Sequence, residues 1–356
     1  MLISAVDSVN LAFEHTKRQL VQPFRFWQWT RLAVVGLLAG ELGSGGSCSF
    51  RHYLQGGPGS SRLPNIDPAI LGGIIAFLIV TGVVFAIVVT YISSVMRFIL
   101  FDSVLMKECH IREGWSRRQG AGWRYFLWQI GYVVATLAGM TVLVGVPVAV
   151  AFSLGWIQHA GEHVLPLILG GIVVFLVLVI FAIIAAVVQV LTKDFVVPQM
   201  ALEGIGAVEA WRRFWPMIEA EMGGYAAYIG MKILLAIAAG IIIGIVSLIL
   251  GLLVAIPTVG LAIVAVITGK TAGLTWNVYT ITVAVIVGCV LLALFLYLMA
   301  LIAVPAIVFF PAYSIYFFAG RYRPLSLIVF PPPPAAPVPA GGSPGQPPPL
   351  TPAPAG

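Results

Sequence analysis

Apolar and polar positions in this chain segregate into long blocks, not into the short periods of a soluble fold. Five apolar blocks run from Ala69 to Met96, Leu127 to Phe152, Leu165 to Leu191, Ile233 to Ala255 and Val278 to Val304, and none contains Asp, Glu, Lys or Arg. Each exceeds the about 20 residues that a helix needs to cross a bilayer core of roughly 30 Å. A sixth block, Trp27 to Leu42, is shorter and carries Arg31. The pattern predicts an all-α, polytopic integral membrane bundle of about six transmembrane helices.

The polar blocks set the orientation. Lys and Arg accumulate on the cytoplasmic side of membrane helices. With six spans, every basic residue of the 19 except Arg51, Arg62 and Lys270 falls on one side, which places both termini in the cytoplasm. Residues 1–26 then form a cytoplasmic amphipathic segment, 27–325 a six-helix transmembrane domain and 326–356 a cytoplasmic tail. In the first segment Leu2, Val6, Val9, Phe13 and Leu20 share one helical face, apart from Asp7, Glu14, Lys17 and Arg18. That face suits either a helix lying in the membrane interface or one packed on the protein's own surface.

The blocks also repeat. Ala12, Glu14, Lys17 and Arg18, with Pro23 beyond, match Ala207, Glu209, Arg212 and Arg213, with Pro216 beyond, in the pattern A-x-E-x-x-[KR]-R. Glu113, Trp115, Arg117 and Arg118 form a looser third copy. At the cytoplasmic exits, Ile99 to Asp102, Phe195 to Pro198 and Val308 to Pro311 correspond in the same way. The expected unit is an interfacial amphipathic helix followed by a helical hairpin, used three times.

Composition closes off the soluble alternatives. Charged residues are 9% of the chain and hydrophobic ones 60%, against about 25% charged in soluble domains. The net charge of +6 does not point to nucleic acid, because the basic residues alternate with Trp and Phe beside apolar runs, as at a lipid interface. Seven of the nine tryptophans, all but Trp156 and Trp276, fall on the basic side. Lys17, Arg18, Arg117, Arg118, Arg212 and Arg213 are therefore the candidate contacts for anionic lipid. A second candidate feature is a stripe of small residues, Ala236, Gly240, Gly244, Ser247 and Gly251, which would let a neighbouring helix approach closely.

Three cysteines give neither a disulfide framework nor a metal knuckle. The topology predicts that an impermeant maleimide reaches Cys48 from outside, Cys109 only from the cytoplasm, and Cys289 slowly from either side. Asp7 and Glu14 disagree with the basic n-region of a cleaved signal peptide. From Pro331 onward the chain holds half of its 24 prolines and no charge, which predicts a disordered, polyproline-rich tail.

Two motifs resemble chemistry. His159-Ala160-Gly161-Glu162-His163 fits the H-x-x-E-H pattern of zinc peptidases, but Gly161 places it in a turn and no third ligand follows in 257–276. Thr268-Gly269-Lys270-Thr271 ends like a phosphate-binding loop, yet Val264 stands where the first glycine belongs, so Lys270 reads as a loop lysine. No catalytic residue, metal or cofactor is expected.

The basic aromatic segment Glu209-Ala210-Trp211-Arg212-Arg213-Phe214-Trp215, with its recurrence ahead of membrane spans, resembles the membrane region attached to some bacterial glycerophosphoryl diester phosphodiesterases and related bacterial inner-membrane families. The resemblance implies an architecture and a bacterial cytoplasmic membrane. It implies no hydrolase activity, since those enzymes act through a separate soluble barrel and this chain has no polar stretch to encode one. The expectation is a non-enzymatic membrane protein acting through helix packing, lipid contact or a membrane protein partner. The alternative is a transporter or facilitator of an apolar or lipid-like solute, and the five long runs offer it no buried ionisable group.

Overall fold

The computed structural model describes residues 3–22, 24–41, 68–159, 161–271 and 278–331. The described residues are helical, with no strand among them, and five helices are long and apolar enough to cross a membrane. Most are far longer than a crossing requires. α3 (Pro68–Met106), α4 (Ile111–Ser153) and α9 (Val278–Ala319) have 39, 43 and 42 residues, and α8 (Met222–Thr271) has 50. At about 1.5 Å per residue each is about 60 Å or more, roughly twice the bilayer core. α5 (Val164–Leu191) gains comparable length by continuing through a π-turn at Thr192–Val196 into α6 (Val197–Glu203).

The excess length gathers at one end. α3 is exposed from Gly72 through Val89 and buried from Ser94 through Phe101. The buried core takes the C-terminal parts of α3, α5–α6 and α9 together with the N-terminal parts of α4 and α8. Four shorter helices complete this base: α1 (Ala5–Leu20), α2 (Phe26–Leu38), α7 (Ala207–Ala220) and α10 (Arg323–Val329). α10 begins before the tail boundary expected at residue 326 and buries Leu325.

α1 forms because Ser4 caps it, its Oγ accepting the Asp7 N–H at 3.1 Å, while Asp7 and the pair Lys17 and Arg18 sit at the ends that the helix dipole favours. It docks on the base by its small and polar stripe of Ser8, Ala12, His15 and Gln19, leaving Val6 and Phe13 exposed. The docking stripe is thus not the apolar face expected from the sequence, whose Val6 and Phe13 stay exposed. The polar stripe satisfies orphan carbonyls in the last turn of α3. His15 Nε2–H donates to Val104 O at 2.9 Å and Gln19 Nε2 donates to Ser103 O at 3.0 Å. Those partners assign the proton to Nε2 and leave Nδ1 to accept from the Tyr316 hydroxyl at 3.1 Å. Burial, reinforced by nearby Lys107, pushes the His15 pKa down and keeps the ring neutral.

α2 corresponds to the shortest apolar block. Its 13 residues span only about 20 Å, short of the roughly 30 Å needed to cross. It lies against α3 and α9 with Leu32, Ala33, Val35 and Gly36 buried. A Cβ on Gly36 would stand 2.5 Å from Ile307 Cγ2, so the glycine permits this approach. One face of α2 is thus buried by protein, which in sequence looks the same as burial by lipid, while Phe26, Trp27, Val34 and Leu37 stay exposed.

Away from the base, the spans pair sparsely. Tyr132 donates to Ala185 O at 2.6 Å and Gly139 faces Phe181 between α4 and α5. On α8, Gly240, Ser247 and Gly251 are half-buried, and Gly251 faces Phe295 of α9. Gly244 departs from the expected stripe: it is exposed, nothing lies within 4 Å of a Cβ placed there, and Ile243 is half-buried instead. A four-residue step overshoots a full turn by about 40°, and two successive ones carry position 244 off the face. Gly244→Leu is therefore expected to leave thermal unfolding in detergent unchanged or slightly raised, and Ile243→Ala to lower it. A drop for Gly244→Leu would mean that another helix covers that face.

The motifs at the far end fall in turn and helix. His159, Gly161, Glu162 and His163 form the turn between α4 and α5, and Ala160 lies outside the described residues. Thr268 to Thr271 were expected in a loop but form the last turn of α8, which continues through Pro257. Cys109 is corrected as a topology reporter: it is 4% exposed in the base, and burial also raises its thiol pKa. It will react on unfolding and not on permeabilisation. Cys48 lies outside the described residues.

Candidate functional site

Several apolar blocks end beside a charge, and the packing of the base brings those charges together. Arg97 follows Met96, Lys193 and Asp194 follow the run ending at Leu191, Lys232 precedes Ile233, and Glu41 lies just beyond α2. Because each borders an apolar run, all five lie at one level. They line a common cavity of about 40 Å³, with Ser314 of α9 on its wall. At about 10–15 Å³ per water, that volume holds about three waters, the space of one small tetrahedral group.

Three cations face two carboxylates there. Lys232 Nζ donates to Asp194 Oδ2, which also accepts the Tyr228 hydroxyl at 2.9 Å. Glu41 Oε1 stands 3.7 Å from Arg97 Nη2 and 4.0 Å from Lys193 Nζ, contacts too long for close hydrogen bonds. Burial acts to raise the Glu41 carboxyl, and Arg97, Lys193 and Lys232 together override it, holding it below the usual carboxylate range. Arg97, 6% exposed, also donates from Nη2 to Ala39 O at 2.7 Å and so fastens the end of α2 to α3.

The local sequence explains how Lys193 and Asp194 reach the cavity. Pro198 has no N–H to give to the Asp194 carbonyl, and its ring would collide with that carbonyl in a regular helix. The chain responds with the π-turn over Thr192–Val196, closed by the Val197 N–H on Thr192 O. Such insertions frequently mark functional sites. The three exit segments meet at the same place, where Phe101, Val197 and Phe310 all line the cavity, as do Pro198 and Pro311.

The six basic residues singled out for lipid do not share one environment. Lys17 and Arg117 are exposed, with no ion pair to any described residue. Arg18 is exposed, 3.8 Å from Glu14. Arg118 is largely buried: Nε and Nη2 clamp Asp102 at 2.7 Å each, and Nη1 donates to Ala201 O at 2.7 Å. Arg212 pairs with Glu209 at 2.7 Å, and Arg213 with Glu209 at 2.9 Å and with Glu203. In the copies at Glu14 and Glu209 the Glu-to-Arg spacing of four is thus an ion-pair spacing along one helix face, while Glu113 and Arg117 keep the spacing without pairing. Of the seven tryptophans on the basic side, Trp27, Trp123 and Trp215 are exposed, while the Trp29 and Trp211 indoles donate to Leu20 O and Thr192 Oγ1. The charged cluster is not visible in the sequence, where Arg97, Lys193 and Lys232 count singly as orientation signals and Glu41 and Asp194 carry none. Their placement directly beside apolar runs was the available clue.

Residues 3–328 match the family described as a family of unknown function (DUF7544). The chain belongs to that family. No curated protein and no solved structure matches it. The match takes in the base and all five long helices, and among the described residues no group of three or more His, Cys, Asp or Glu side chains could hold a metal.

Proposed function

We propose that this protein is a non-enzymatic, multi-pass component of a bacterial cytoplasmic membrane, with its base and both termini in the cytoplasm, working through contact of that base with anionic lipid and a membrane protein partner. One observation carries the reading. Exposed cations with no ion pair to a described residue (Lys17, Arg25, Arg112 and Arg117) share the base with the exposed indoles Trp27, Trp123 and Trp215, where the apolar helices enter. Indoles settle at headgroup depth and each nearby basic residue adds about 1 kcal/mol of attraction to an anionic surface. α1 and α10 both belong to the base, which supports placing the two termini on one side. The bacterial setting rests on the resemblance of residues 209–215.

Neutralising Lys17 and Arg117 together should lower the retention of phosphatidylglycerol on the purified protein about 30-fold, at about 1 kcal/mol per residue, read by native mass spectrometry. Neutralising Arg212 and Arg213 should do less, since their charge is already met by Glu203 and Glu209. Unchanged retention after loss of Lys17 and Arg117 would overturn the lipid reading. A carrier of an apolar or lipid-like solute is the second reading, favoured by the charged cavity where the spans begin. Solute flux in proteoliposomes that depends on Arg97 would establish it in place of the first.

A further inference from the structure

The cavity at the centre of the base carries one positive charge more than its own side chains neutralise. Arg97, Lys193 and Lys232 face Glu41 and Asp194. Lys232 is committed to Asp194. Among the described residues no hydrogen-bond acceptor reaches Lys193 Nζ, whose nearest carboxylate oxygen is at 4.0 Å, and the buried Arg97 Nε–H has no acceptor either. A buried donor without a partner is costly, and a buried surplus charge more so. Both are accounted for at once if the cavity receives an oxyanion. The π-turn that brings Lys193 to the wall supplies a local distortion of the kind found at ligand sites.

We propose that this cavity is a binding site for a phosphate group, held by Lys193 and Arg97, with the Ser314 hydroxyl, now bonded to Pro311 O at 2.8 Å, able to turn toward it. A phosphate suits the place because the cavity lies at the level where the apolar runs begin, which is headgroup depth, and because guanidinium and ammonium donors together favour a multidentate oxyanion. The group has two sources, a phospholipid headgroup or free phosphate, and they share this chemistry. The site is separate from the exposed cations at the rim and does not depend on them.

The test uses the full-length protein in dodecyl maltoside, which carries no phosphate. Thermal unfolding is followed while inorganic phosphate, phosphatidylglycerol or, as an ionic-strength control, potassium chloride is added. A saturable rise with inorganic phosphate and not with chloride supports a free-phosphate site, and a rise with phosphatidylglycerol alone supports a headgroup site. No rise, or an equal rise with chloride, overturns the proposal. Lys193→Met removes the surplus charge while leaving the Lys232–Asp194 pair. It should keep or raise the unfolding temperature without ligand, since the repulsion from Arg97 and Lys232 is relieved, and weaken the response by about 10- to 100-fold in affinity, as for loss of one charged hydrogen bond. Lys193→Arg should retain the response, and so should Arg117→Gln at the rim. A full response in Lys193→Met would overturn the assignment. Should Lys193→Met fail to fold, loss of the response in Lys193→Gln with its retention in Lys193→Arg supports the site, and retention in both overturns it.

Discussion

Asp194→Asn is expected to destabilise the detergent-solubilised protein by about 3–5 kcal/mol, the range for removing one partner of a buried ion pair. Asp194 is 7% exposed and serves both the Lys232 ammonium and the Tyr228 hydroxyl. Asparagine fits the same space but carries no charge. Among the residues lining the cavity, Glu41 would then be the one carboxylate facing Arg97, Lys193 and Lys232. Cys109 gives the readout, since its thiol is buried in the base and becomes reactive when the base opens. A shift no larger than that of the exposed control Arg117→Gln would show that the cluster contributes nothing to holding the helices together. The contrast with Lys193→Met is the informative part, because there the deletion lowers the charge imbalance and here it raises it.

What the sequence disclosed of this molecule follows from what each signal depends on. The five long runs were legible because lipid demands uninterrupted apolarity and nothing else in a chain of this composition produces it. The E-x-x-x-R recurrence was visible, but its meaning depends on whether acid and base share a helix face. Glu209 with Arg213 at 2.9 Å shows that they do, which turns a candidate lipid motif into an ion pair that steadies α7. The charged cavity was illegible for a different reason. Arg97, Lys193 and Lys232 are far apart in sequence, and their meeting is decided by which helix ends share the base. The apolar face of α1 was legible, but His15 and Gln19 drew no attention in the sequence, and they lie on the side that docks, because α3 ends in carbonyls that need donors. For α2, apolar content fixed burial without fixing the medium.

Gly120 and Gly122 of α4 look alike in the sequence Gln119-Gly120-Ala121-Gly122-Trp123, yet alanine at the two positions is expected to act in opposite directions. At Gly122, which is buried, a Cβ would lie 2.5 Å from Val95 Cγ2 and 3.0 Å from the Val95 backbone Cα. The Val95 side chain is fully buried and has no space to retreat, so α3 and α4 would have to part at the contact that anchors both to the base. Overpacking of this kind costs about 1–3 kcal/mol, and a collision with backbone belongs at the upper end of that range. Gly120, exposed on the same helix, has nothing within 4 Å of the added carbon. Alanine there reduces the freedom of the unfolded chain and should stabilise by about 0.5–1 kcal/mol. Both variants can be compared by thermal unfolding in one detergent, where a common error in membrane mimicry cancels. Equal and small shifts would mean that α3 and α4 do not approach as closely as the Gly122–Val95 contact requires. A drop for Gly122→Ala beside a rise for Gly120→Ala would fix the register of the two helices at the level of the charged cavity, since Val95 lies two residues before Arg97.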